Sequence, residues 1–192
     1  MILASASPRR AALLEQIGVH FEVQPVHVDE SSLDGECPRD YVTRLARLKA
    51  SAIPEASVPV LGADTAVVLD EKIFGKPSDE HDAVAMLMAL SGRQHQVLTG
   101  IAVCGGSSDA RRCEALCVGA TVGFVDISES DARRYWKTGE PADKAGGYGI
   151  QGIGGIFAER ISGSYSAIVG LPLFETEQLL RSFNVDTWQF RG

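Results

Sequence analysis

The sequence lacks any long hydrophobic run, which excludes a membrane-spanning helix. A typical apolar stretch, from Thr65 to Leu69, is five residues long, whereas a bilayer requires about 20. The first ten residues place their basic pair, Arg9 and Arg10, after the apolar residues, which is the wrong order for a secretory signal. We therefore expect a cytoplasmic protein.

Positive charge is also scarce. The chain has 18 Lys and Arg residues against 25 Asp and Glu residues, which gives a formal net charge of −7. This balance argues against non-specific binding to nucleic acid or to an anionic membrane. A small ligand that carries phosphate remains compatible with the sequence, but it needs a local cluster of cations or a metal ion.

Familiar metal and nucleotide motifs are missing as well. There is no C-x-x-C pair, no H-E-x-x-H and no G-x-x-x-x-G-K-[ST], so a zinc finger, a hydrolytic zinc site and a P-loop are not indicated. We expect reduced thiols at all four cysteines and structural roles for all four histidines: Cys37, Cys104, Cys113, Cys117, His20, His27, His81 and His95.

At 192 residues and 45% apolar content, the chain can bury a substantial core as one domain over residues 1–192. Strands are predicted over residues 1–5, 21–28, 58–61, 65–69, 94–104, 115–125, 156–161 and 164–169, with turns at 70–72 and 105–109. Helices are predicted to follow Ser7, to span 39–51, to follow caps at Ser78 and Ser128, and to start at Pro172. This irregular alternation indicates an α/β or α+β domain with a mixed sheet.

The most unusual segment is residues 146–155, where six of ten residues are glycine. It contains a G-x-G-x-x-G pattern from Gly147 to Gly152, but a dinucleotide-binding turn would follow a strand and open a helix. Loop-forming residues precede this pattern and further glycines follow it, which argues against that interpretation. A flexible loop and a close approach of the backbone to a ligand remain, and the apolar residues between the glycines favour the second.

The start of the first helix carries two arginines, although cations are unfavourable at a helix N-terminus. Arg9 and Arg10 directly follow Ser7 and Pro8. An anion would remove the conflict, because free N–H groups, the Ser7 hydroxyl and both guanidiniums could converge on one phosphate group. The alternative is a pair of solvated arginines.

Carboxylates supply the other half of a candidate site. Asp64 and Thr65 follow Gly62 at an apparent strand break, where a carboxylate can face a cleft. Asp29 and Glu30 follow a predicted strand and could add a second carboxylate. Oxygen ligands of this kind suit Mg²⁺ or Mn²⁺ held partly by phosphate and water. Three lysines could neutralise the rest of a polyphosphate: Lys49, Lys76 and Lys144.

Six short stretches then occur in a recognisable order. They are Ser5-x-Ser-Pro-Arg-Arg10, Gly62-Ala-Asp-Thr65, Gly75-Lys-Pro77, Ser91-Gly92 with His95-x-Val97-x-Thr99, Asp143-Lys-Ala-Gly-x-Tyr-Gly-Ile-Gln-Gly152, and Gly163-Ser-Tyr165 with Val169-Gly-Leu-Pro172. Together they resemble the Maf family of nucleoside triphosphate pyrophosphatases, from Ser5 to about Leu180.

The resemblance implies a fold and a reaction. The fold would be the Maf-type, ITPase-like α/β fold, an elongated mixed β-sheet with flanking helices and two lobes around a deep cleft. Members of the family often form homodimers. A metal-activated water would split a nucleoside triphosphate into the monophosphate and pyrophosphate, so Mg²⁺ or Mn²⁺ is the implied cofactor.

The resemblance also implies residue roles. Asp64 matches the proposed proton acceptor, and Arg9, Thr65 and Gln151 match positions linked to base selection. Glu30, Lys49 and Lys76 match charged positions of the family's cleft, with Glu30 a candidate metal ligand.

The glycine-rich segment distinguishes two branches of the family. Asp-Lys-Ala-Gly-x-Tyr-Gly-Ile-Gln-Gly resembles the branch that acts on dTTP and UTP, whereas the branch that acts on 7-methyl-GTP has a Cys-Ala-Gly-Ser-Phe-Lys-like stretch. The amide of Gln151 offers a donor and an acceptor side by side, which matches the O4 and N3–H edge of uracil or thymine. Modified pyrimidine nucleotides, 7-methyl-GTP hydrolysis and a non-catalytic, nucleotide-binding regulator of cell division remain alternatives.

Overall fold

A seven-stranded mixed sheet organises the part of the chain described by the computed structural model, residues 1–105 and 111–188. The strand order is β2-β1-β3-β5-β6-β7, and β4 also pairs with β3. β1 is parallel to β2 and β3, and the other pairs are antiparallel. The strands are β1 (Ile2–Leu3), β2 (Glu22–Val23), β3 (Val60–Leu69), β4 (Lys72–Phe74), β5 (Gln94–Gly105), β6 (Arg112–Phe124) and β7 (Ala158–Ser162).

Helices flank this sheet. They are α1 (Pro8–Gln16), α2 (Pro38–Ser51), α3 (Glu80–Leu90), α4 (Glu129–Trp136), α5 (Tyr165–Val169) and α6 (Leu173–Ser182). Three 3₁₀ turns, Glu140–Asp143, Ala145–Gly147 and Ile153–Phe157, connect α4 to β7. The mixed sheet with flanking helices confirms the predicted fold class.

Helix α2 lies directly against β3 and β5 because two strand positions have no side chain. A Cβ atom on Gly62 would lie 2.3 Å from the carbonyl oxygen of Ala46, and one on Gly100 would lie 2.2 Å from that of Val42. Such distances are far below van der Waals contact, and the atoms met are backbone. Glycine at these positions is therefore what allows the helix to pack so closely.

The opposite face of the sheet carries two separate hydrophobic clusters. One gathers side chains from β1, α1, α6, the first half of β3 and the second half of β5, including Leu3, Leu14, Leu61, Ile101 and Leu180. The other gathers the second half of β3 and the first half of β5 with α3, α4 and the glycine-rich segment, including Val67, Leu87, Val97, Tyr135 and Tyr148. Because side chains alternate along a strand, Thr65 and Thr99 point to this same face between the two clusters.

The sheet has a gap along one edge of β3. β5 occupies one edge from Val60 to Val68, so β1 and β4 must share the other. Among residues 1–105 and 111–188, β1 pairs with β3 only at Val60 and Leu61, and β4 pairs with β3 only from Val67 to Leu69. On this edge, residues 62–66 therefore have no strand partner in the described part of the chain, and this gap positions the cleft described below.

Several local predictions are confirmed. The hairpin turn before Lys72 is present, with Asp70 and Glu71 both in the left-handed region at φ values of 49° and 61°. Ser128 caps α4 by accepting a hydrogen bond from the Asp131 amide. The helices expected at 39–51 and after Pro172, and the two long strands β5 and β6, also form.

Other local predictions are wrong. Residues 164–169 form a capped helix instead of a strand, because the Ser164 hydroxyl accepts a hydrogen bond from the Ala167 amide. β3 is continuous through the expected break at 62–64, since the glycine there accommodates α2. The predicted strands at 21–28 and 156–161 shorten to Glu22–Val23 and Ala158–Ser162. Asp79 caps α3 in place of Ser78.

Two cysteines also differ from expectation. Cys104 and Cys113, opposite one another on β5 and β6, form a disulfide instead of two reduced thiols. His95, in contrast, is confirmed as structural: it is buried, its Nε2 lies 2.8 Å from the Tyr148 hydroxyl, and burial lowers its pKa to about 4.

Most of the turn expected at 105–109 lies outside the described residues. Within residues 1–105 and 111–188, no helix is long and apolar enough to cross a bilayer.

Candidate active site

A cleft of about 840 Å³ opens at the gap in the β3 edge. It is bordered by the β1–α1 connection, α2, β3, the β4–α3 connection and the glycine-rich segment. Every site residue expected from the sequence lines it: Ser7, Arg9, Arg10, Glu30, Lys49, Asp64, Thr65, Lys76 and Gln151. The structure thus brings together side chains that are up to 144 positions apart in the chain.

Lys49 is the centre of the charged group in the cleft. Its Nζ lies 2.7 Å from Oδ1 of Asp64 and 2.6 Å from Oε1 of Glu30. Asp64 is mostly buried, and burial raises its pKa even though Lys49 and Arg10 act in the opposite direction. Within the described chain, only Oδ1 of Asp64 has a hydrogen-bond partner, so Oδ2 can accept from a water or ligand.

Glu30 lies at the more exposed side of this ammonium group. Partial burial alone would raise its pKa, but the hydrogen bond and charge of Lys49, with smaller effects of Lys76 and Arg10, lower it overall. The Tyr41 hydroxyl donates to the backbone carbonyl of Glu30 at 3.0 Å, which fixes the loop that carries this carboxylate. Glu30 is therefore an ionised carboxylate held beside the cations of the cleft.

Arg10 is buried and connects several elements. Its guanidinium donates to the carbonyl of Gly170, the hydroxyl of Ser5 and the hydroxyl of Thr65 at 2.9, 3.1 and 3.1 Å. Desolvation lowers the pKa of Arg10, but guanidinium stays protonated in proteins. Three of its five N–H groups are used internally, which leaves two for a ligand.

The Thr65 hydroxyl has a fixed direction. Thr99 donates its hydroxyl hydrogen to the carbonyl of Ala167 at 2.8 Å, so it can only accept from Thr65, whose oxygen is 2.9 Å away. Thr65 in turn accepts from Arg10. Its single hydrogen is thereby committed, and only a lone pair remains for a ligand.

Ser7 and Arg9 are at the entrance formed by α1. Ser7 occupies the predicted N-cap position, but its hydroxyl makes no capping hydrogen bond, which corrects the expected cap and leaves the hydroxyl free for a ligand. Arg9 lies 3.6 Å from the carboxylate of Asp143, at the start of the glycine-rich segment. Lys144 also lines the cleft, but its ammonium already donates to Asp143 and to the carbonyl of Glu140.

Gln151 is at the tip of a tight turn. The Gly152 amide donates to the carbonyl of Gly149 at 3.2 Å, so Ile150 and Gln151 are the two central residues of that turn. Gln151 is exposed, and its amide makes no hydrogen bond within residues 1–105 and 111–188. It also borders a smaller hollow of about 280 Å³ against α1, which it shares with Arg9.

Glu140 and Tyr135 hold this turn, and the sequence did not single them out. The Tyr135 hydroxyl donates to Oε1 of Glu140 at 2.7 Å and accepts from the Gly149 amide at 3.0 Å. Oε1 of Glu140 also accepts from the amide of Gly154 at 3.0 Å, and Oε2 accepts from that of Ile153 at 2.9 Å.

The glycines of the segment make room for these two side chains. A Cβ atom on Gly152 would lie 2.3 Å from Oε2 of Glu140, one on Gly149 2.9 Å from Oε1, and one on Gly154 2.4 Å from the Tyr135 hydroxyl. We expected these glycines to allow a ligand to approach the backbone, and at these three positions that expectation is wrong. The groups that approach the backbone there are the side chains of Glu140 and Tyr135. One feature of the sequence could have indicated this role. Glu140 is a carboxylate that shortly precedes the glycine-rich segment, whose backbone amides can donate to it.

A divalent cation fits the carboxylates only in part. Within residues 1–105 and 111–188, no group of three His, Cys, Asp or Glu side chains gathers in a way that could hold a metal. Asp64 and Glu30 do converge on one ammonium, however, and Mg²⁺ typically binds through one or two carboxylates together with substrate phosphates and water. The residues present therefore fit a cation shared with a polyphosphate, but not a complete protein cage.

Similarity to known proteins extends over nearly the whole chain. Residues 1–183 match the family described as Maf-like protein. The chain is 51% identical to a dTTP/UTP pyrophosphatase of Saccharophagus degradans, covering 98% of this chain and 91% of that one. It is 52% identical to a protein of the same name from Pseudoalteromonas atlantica, with 94% and 95% covered. For the protein of that name from Vibrio cholerae the identity is 49%, with 95% and 97% covered.

A solved structure shows a looser likeness. The Ham1 protein of Staphylococcus aureus is 18% identical and superposes with a TM-score of 0.44, over 67% of this chain and 71% of that one. The mixed sheet and its flanking helices are established by the strand pairing described above and do not depend on this likeness.

Proposed function

The chain belongs to the Maf family, and from this membership we propose that it hydrolyses dTTP and UTP to the nucleoside monophosphate and pyrophosphate. The relatives that carry the name dTTP/UTP pyrophosphatase are about half identical to it over nearly their full length. One observation of the structure supports the proposal above others: the basic start of α1, the Asp64 carboxylate and the Gln151 turn face the same cleft.

Asp64 is the proton acceptor in this proposal. A general base works best when its pKa lies close to the operating pH, and burial raises that of Asp64 toward this range. Its Oδ1 is held by Lys49 while Oδ2 is free to accept the proton of the attacking water. Lys49 therefore orients the base without occupying its reactive atom.

The cations of the cleft bind the phosphates. Arg10 keeps two N–H groups for a phosphate oxygen, and its position is fixed by Gly170, Ser5 and Thr65. Lys49 and Lys76 add positive charge on the side of Glu30, and Ser7 offers a free hydroxyl at the helix N-terminus. Fixed cations of this kind stabilise negative charge that develops on the phosphates in the transition state.

Base selection depends on complementary hydrogen bonding. Thr65 offers only a lone pair, which suits the N3–H donor of uracil or thymine, and the Gln151 amide offers both a donor and an acceptor. Cytosine has an acceptor at N3, so at that position it would meet the Thr65 lone pair with another lone pair. Arg9, in the first turn of α1, borders the smaller hollow beside Gln151.

We propose Mg²⁺ or Mn²⁺ as the cofactor, which the Glu30 carboxylate would hold together with the triphosphate, so that Oδ2 of Asp64 stays available for the proton. When bound, such an ion supplies charge neutralisation and lowers the pKa of a water molecule.

A single domain over residues 1–192, a homodimer and a cytoplasmic location remain predictions, which sedimentation of the purified protein and imaging of a tagged chain would test.

The function is tested by product analysis of the purified protein. With dTTP or UTP and added Mg²⁺ or Mn²⁺, we expect pyrophosphate and not single phosphate, at higher kcat/KM than with 7-methyl-GTP. The Asp64→Asn variant should lose about 10²–10⁴-fold in kcat. Asp70→Asn, in the exposed turn that follows the same strand, is the matched control and should retain the rate.

Three outcomes would contradict parts of this proposal. Release of orthophosphate would place the cleavage at another bond. Preference for 7-methyl-GTP would assign the other branch of the family. Nucleotide binding without turnover in the unaltered protein would favour a regulator over an enzyme.

A further inference from the structure

We propose that Glu140 is a positioning residue for base selection, because its carboxylate and the Tyr135 hydroxyl lock the turn that presents Gln151. The inference rests on the proposed function, since it explains what holds Gln151 in place to bind the base. It concerns a carboxylate that lines the cleft but is directed at the protein's own backbone.

Glu140 and Tyr135 contact both ends of the Gln151 turn. Before the tip, the Gly149 amide donates to the Tyr135 hydroxyl, and after it the amides of Ile153 and Gly154 donate to Glu140. The Tyr135 hydroxyl links the two sides through its own bond to Glu140. The six residues from Gly149 to Gly154 are thereby held by the Glu140 carboxylate, directly or through the Tyr135 hydroxyl.

The chemistry of this contact requires a carboxylate. Glu140 accepts three hydrogen bonds, one from a hydroxyl and two from backbone amides, and it donates none. An ionised carboxylate is acceptor-only, whereas an amide in its place would direct an N–H group at another donor. The same bonds hold the pKa of Glu140 below its usual value, although its burial acts in the opposite direction.

Packing supports mainly the side of the turn before Gln151, because Ile150 packs against both hydrophobic clusters whereas Ile153 is exposed. The side chain of Gln151 is exposed and makes no hydrogen bond within the described residues. Gly149 and Gly152, which close the turn, have no side chains to pack, and glycine loses more conformational freedom on ordering than any other residue. The bonds to Glu140 therefore hold the side of the turn that follows Gln151, where packing contributes little.

The test is the ratio of kcat/KM for UTP over CTP in Glu140→Gln, with Glu129→Gln as the matched control on an exposed face of α4. We expect Glu140→Gln to reduce this ratio about tenfold, as the loss of a specific hydrogen bond would, mainly through KM for UTP. Glu129→Gln should keep the ratio of the unaltered protein. Tyr135→Phe, which removes only one hydroxyl, should reduce the ratio in the same direction.

A double-mutant cycle separates positioning from a general loss of stability. If Glu140 acts through Gln151, then Gln151→Ala should lower the ratio in the unaltered protein but have little further effect in Glu140→Gln. Additive effects of the two substitutions would overturn the inference. An unchanged ratio in Glu140→Gln would overturn it as well.

Amide hydrogen exchange provides a readout that does not depend on turnover. The amides of Gly149, Ile153 and Gly154 should exchange faster in Glu140→Gln, and the Gly149 amide should do so in Tyr135→Phe. Unchanged protection would show that Glu140 does not hold the turn. If protection falls but the unaltered protein releases no pyrophosphate, the proposed function fails while the structural part of the inference stands. Should Glu140→Gln fail to fold, Tyr135→Phe carries both measurements.

Discussion

At the scale of single residues, the charged groups of the cleft shift one another's pKa values. Lys49 contacts two carboxylates, Asp64 and Glu30, whose pKa values shift in opposite directions because only Asp64 is deeply buried. Burial makes Asp64 a stronger base than an ordinary aspartate, and Lys49 limits how far its pKa rises. The balance between these two effects sets the pH range in which Asp64 is ionised and able to take a proton.

Removing the charge of Lys49 should therefore move the acid limb of the pH profile. In Lys49→Gln, the attraction that lowers the pKa of Asp64 is lost, so this pKa rises further and kcat/KM for UTP falls at a higher pH than in the unaltered protein. The profile of kcat/KM against pH, recorded with saturating Mg²⁺, measures the shift. Arg93→Gln, which removes a cation from an exposed ion pair outside the cleft, should leave the limb in place.

If the acid limb stays at the same pH in Lys49→Gln, the pH dependence of kcat/KM is set by a group other than Asp64. A limb that moves to lower pH would contradict the sign of the interaction. The substitution is also expected to lower the maximum rate, because Lys49 orients Asp64, but this loss does not change the position of the limb.

Individual site residues were predictable where chemistry and sequence neighbours combine. Arg9 and Arg10 stand out because cations are unfavourable at a helix start, and Asp64 because it follows a glycine. The roles of Thr99 and Glu140 were missed because they depend on hydrogen bonds to backbone groups 13 to 68 positions away. No local pattern reveals partners at that separation.

At the scale of elements, the placement of α2 depends on the two strand glycines, Gly62 and Gly100. The helix carries Lys49 at its C-terminal end, so its distance from the sheet determines whether the ammonium reaches Asp64. A glycine that looked like a strand break in the sequence is instead the contact point of a helix. The prediction of a strand break was wrong because glycine has a low β-propensity, and propensity does not show that a helix packs where the side chain is missing.

Gly100→Ala should destabilise the protein and reduce its activity. The added methyl group would meet the backbone of Val42 and Thr43, and such overpacking costs about 1–3 kcal/mol of the free energy of unfolding. Urea denaturation should show a lower midpoint with an unchanged m-value, and kcat/KM should fall because Lys49 moves with α2.

The control is Gly123→Ala on β6, where the new Cβ would make only ordinary contacts, the nearest at 3.6 Å. We expect its free energy of unfolding to change by less than about 0.5 kcal/mol. If Gly100→Ala were as stable and as active as the unaltered protein, close packing of α2 would not be what positions Lys49.

Whole elements were predictable where their pattern is long. The hydrophobic runs of β5 and β6 and the periodic helix α2 are confirmed, whereas α5, with five residues, was taken for a strand. A single turn of helix shows no periodicity, and its serine cap acts only through the folded backbone. The glycine-rich segment could be identified as important, but not the internal carboxylate that shapes it.

At the scale of the whole molecule, the cleft lies between two hydrophobic clusters and gathers cations in an acidic protein. The chain has a net charge of −7, yet five basic residues line the cleft: Arg9, Arg10, Lys49, Lys76 and Lys144. The phosphate groups would contact the side of α1 and α2, and the base would contact the Gln151 turn on the side of α4. A bound nucleotide would therefore connect the two clusters.

This connection predicts a thermal shift that depends on the base. In Asp64→Asn, which should bind UTP without consuming it, UTP with Mg²⁺ at about 100 times its Kd should stabilise the fold by about 2.7 kcal/mol. For a chain of this size, that corresponds to a rise in Tm of about 5–10 °C. At the same concentration, CTP and inorganic tripolyphosphate should give smaller shifts, because neither satisfies both Thr65 and Gln151.

The comparison between UTP and tripolyphosphate isolates the contribution of the Gln151 turn. Tripolyphosphate can occupy the cationic side of the cleft but cannot reach across it, so any additional shift with UTP comes from contacts of the nucleoside. Adding Gln151→Ala to Asp64→Asn should lower the UTP shift toward that of CTP, with the remaining difference due to Thr65, while the tripolyphosphate shift stays constant. Equal shifts for all three ligands would instead mean that binding involves only the phosphate side, and the base would then have to be selected after binding, in the chemical step.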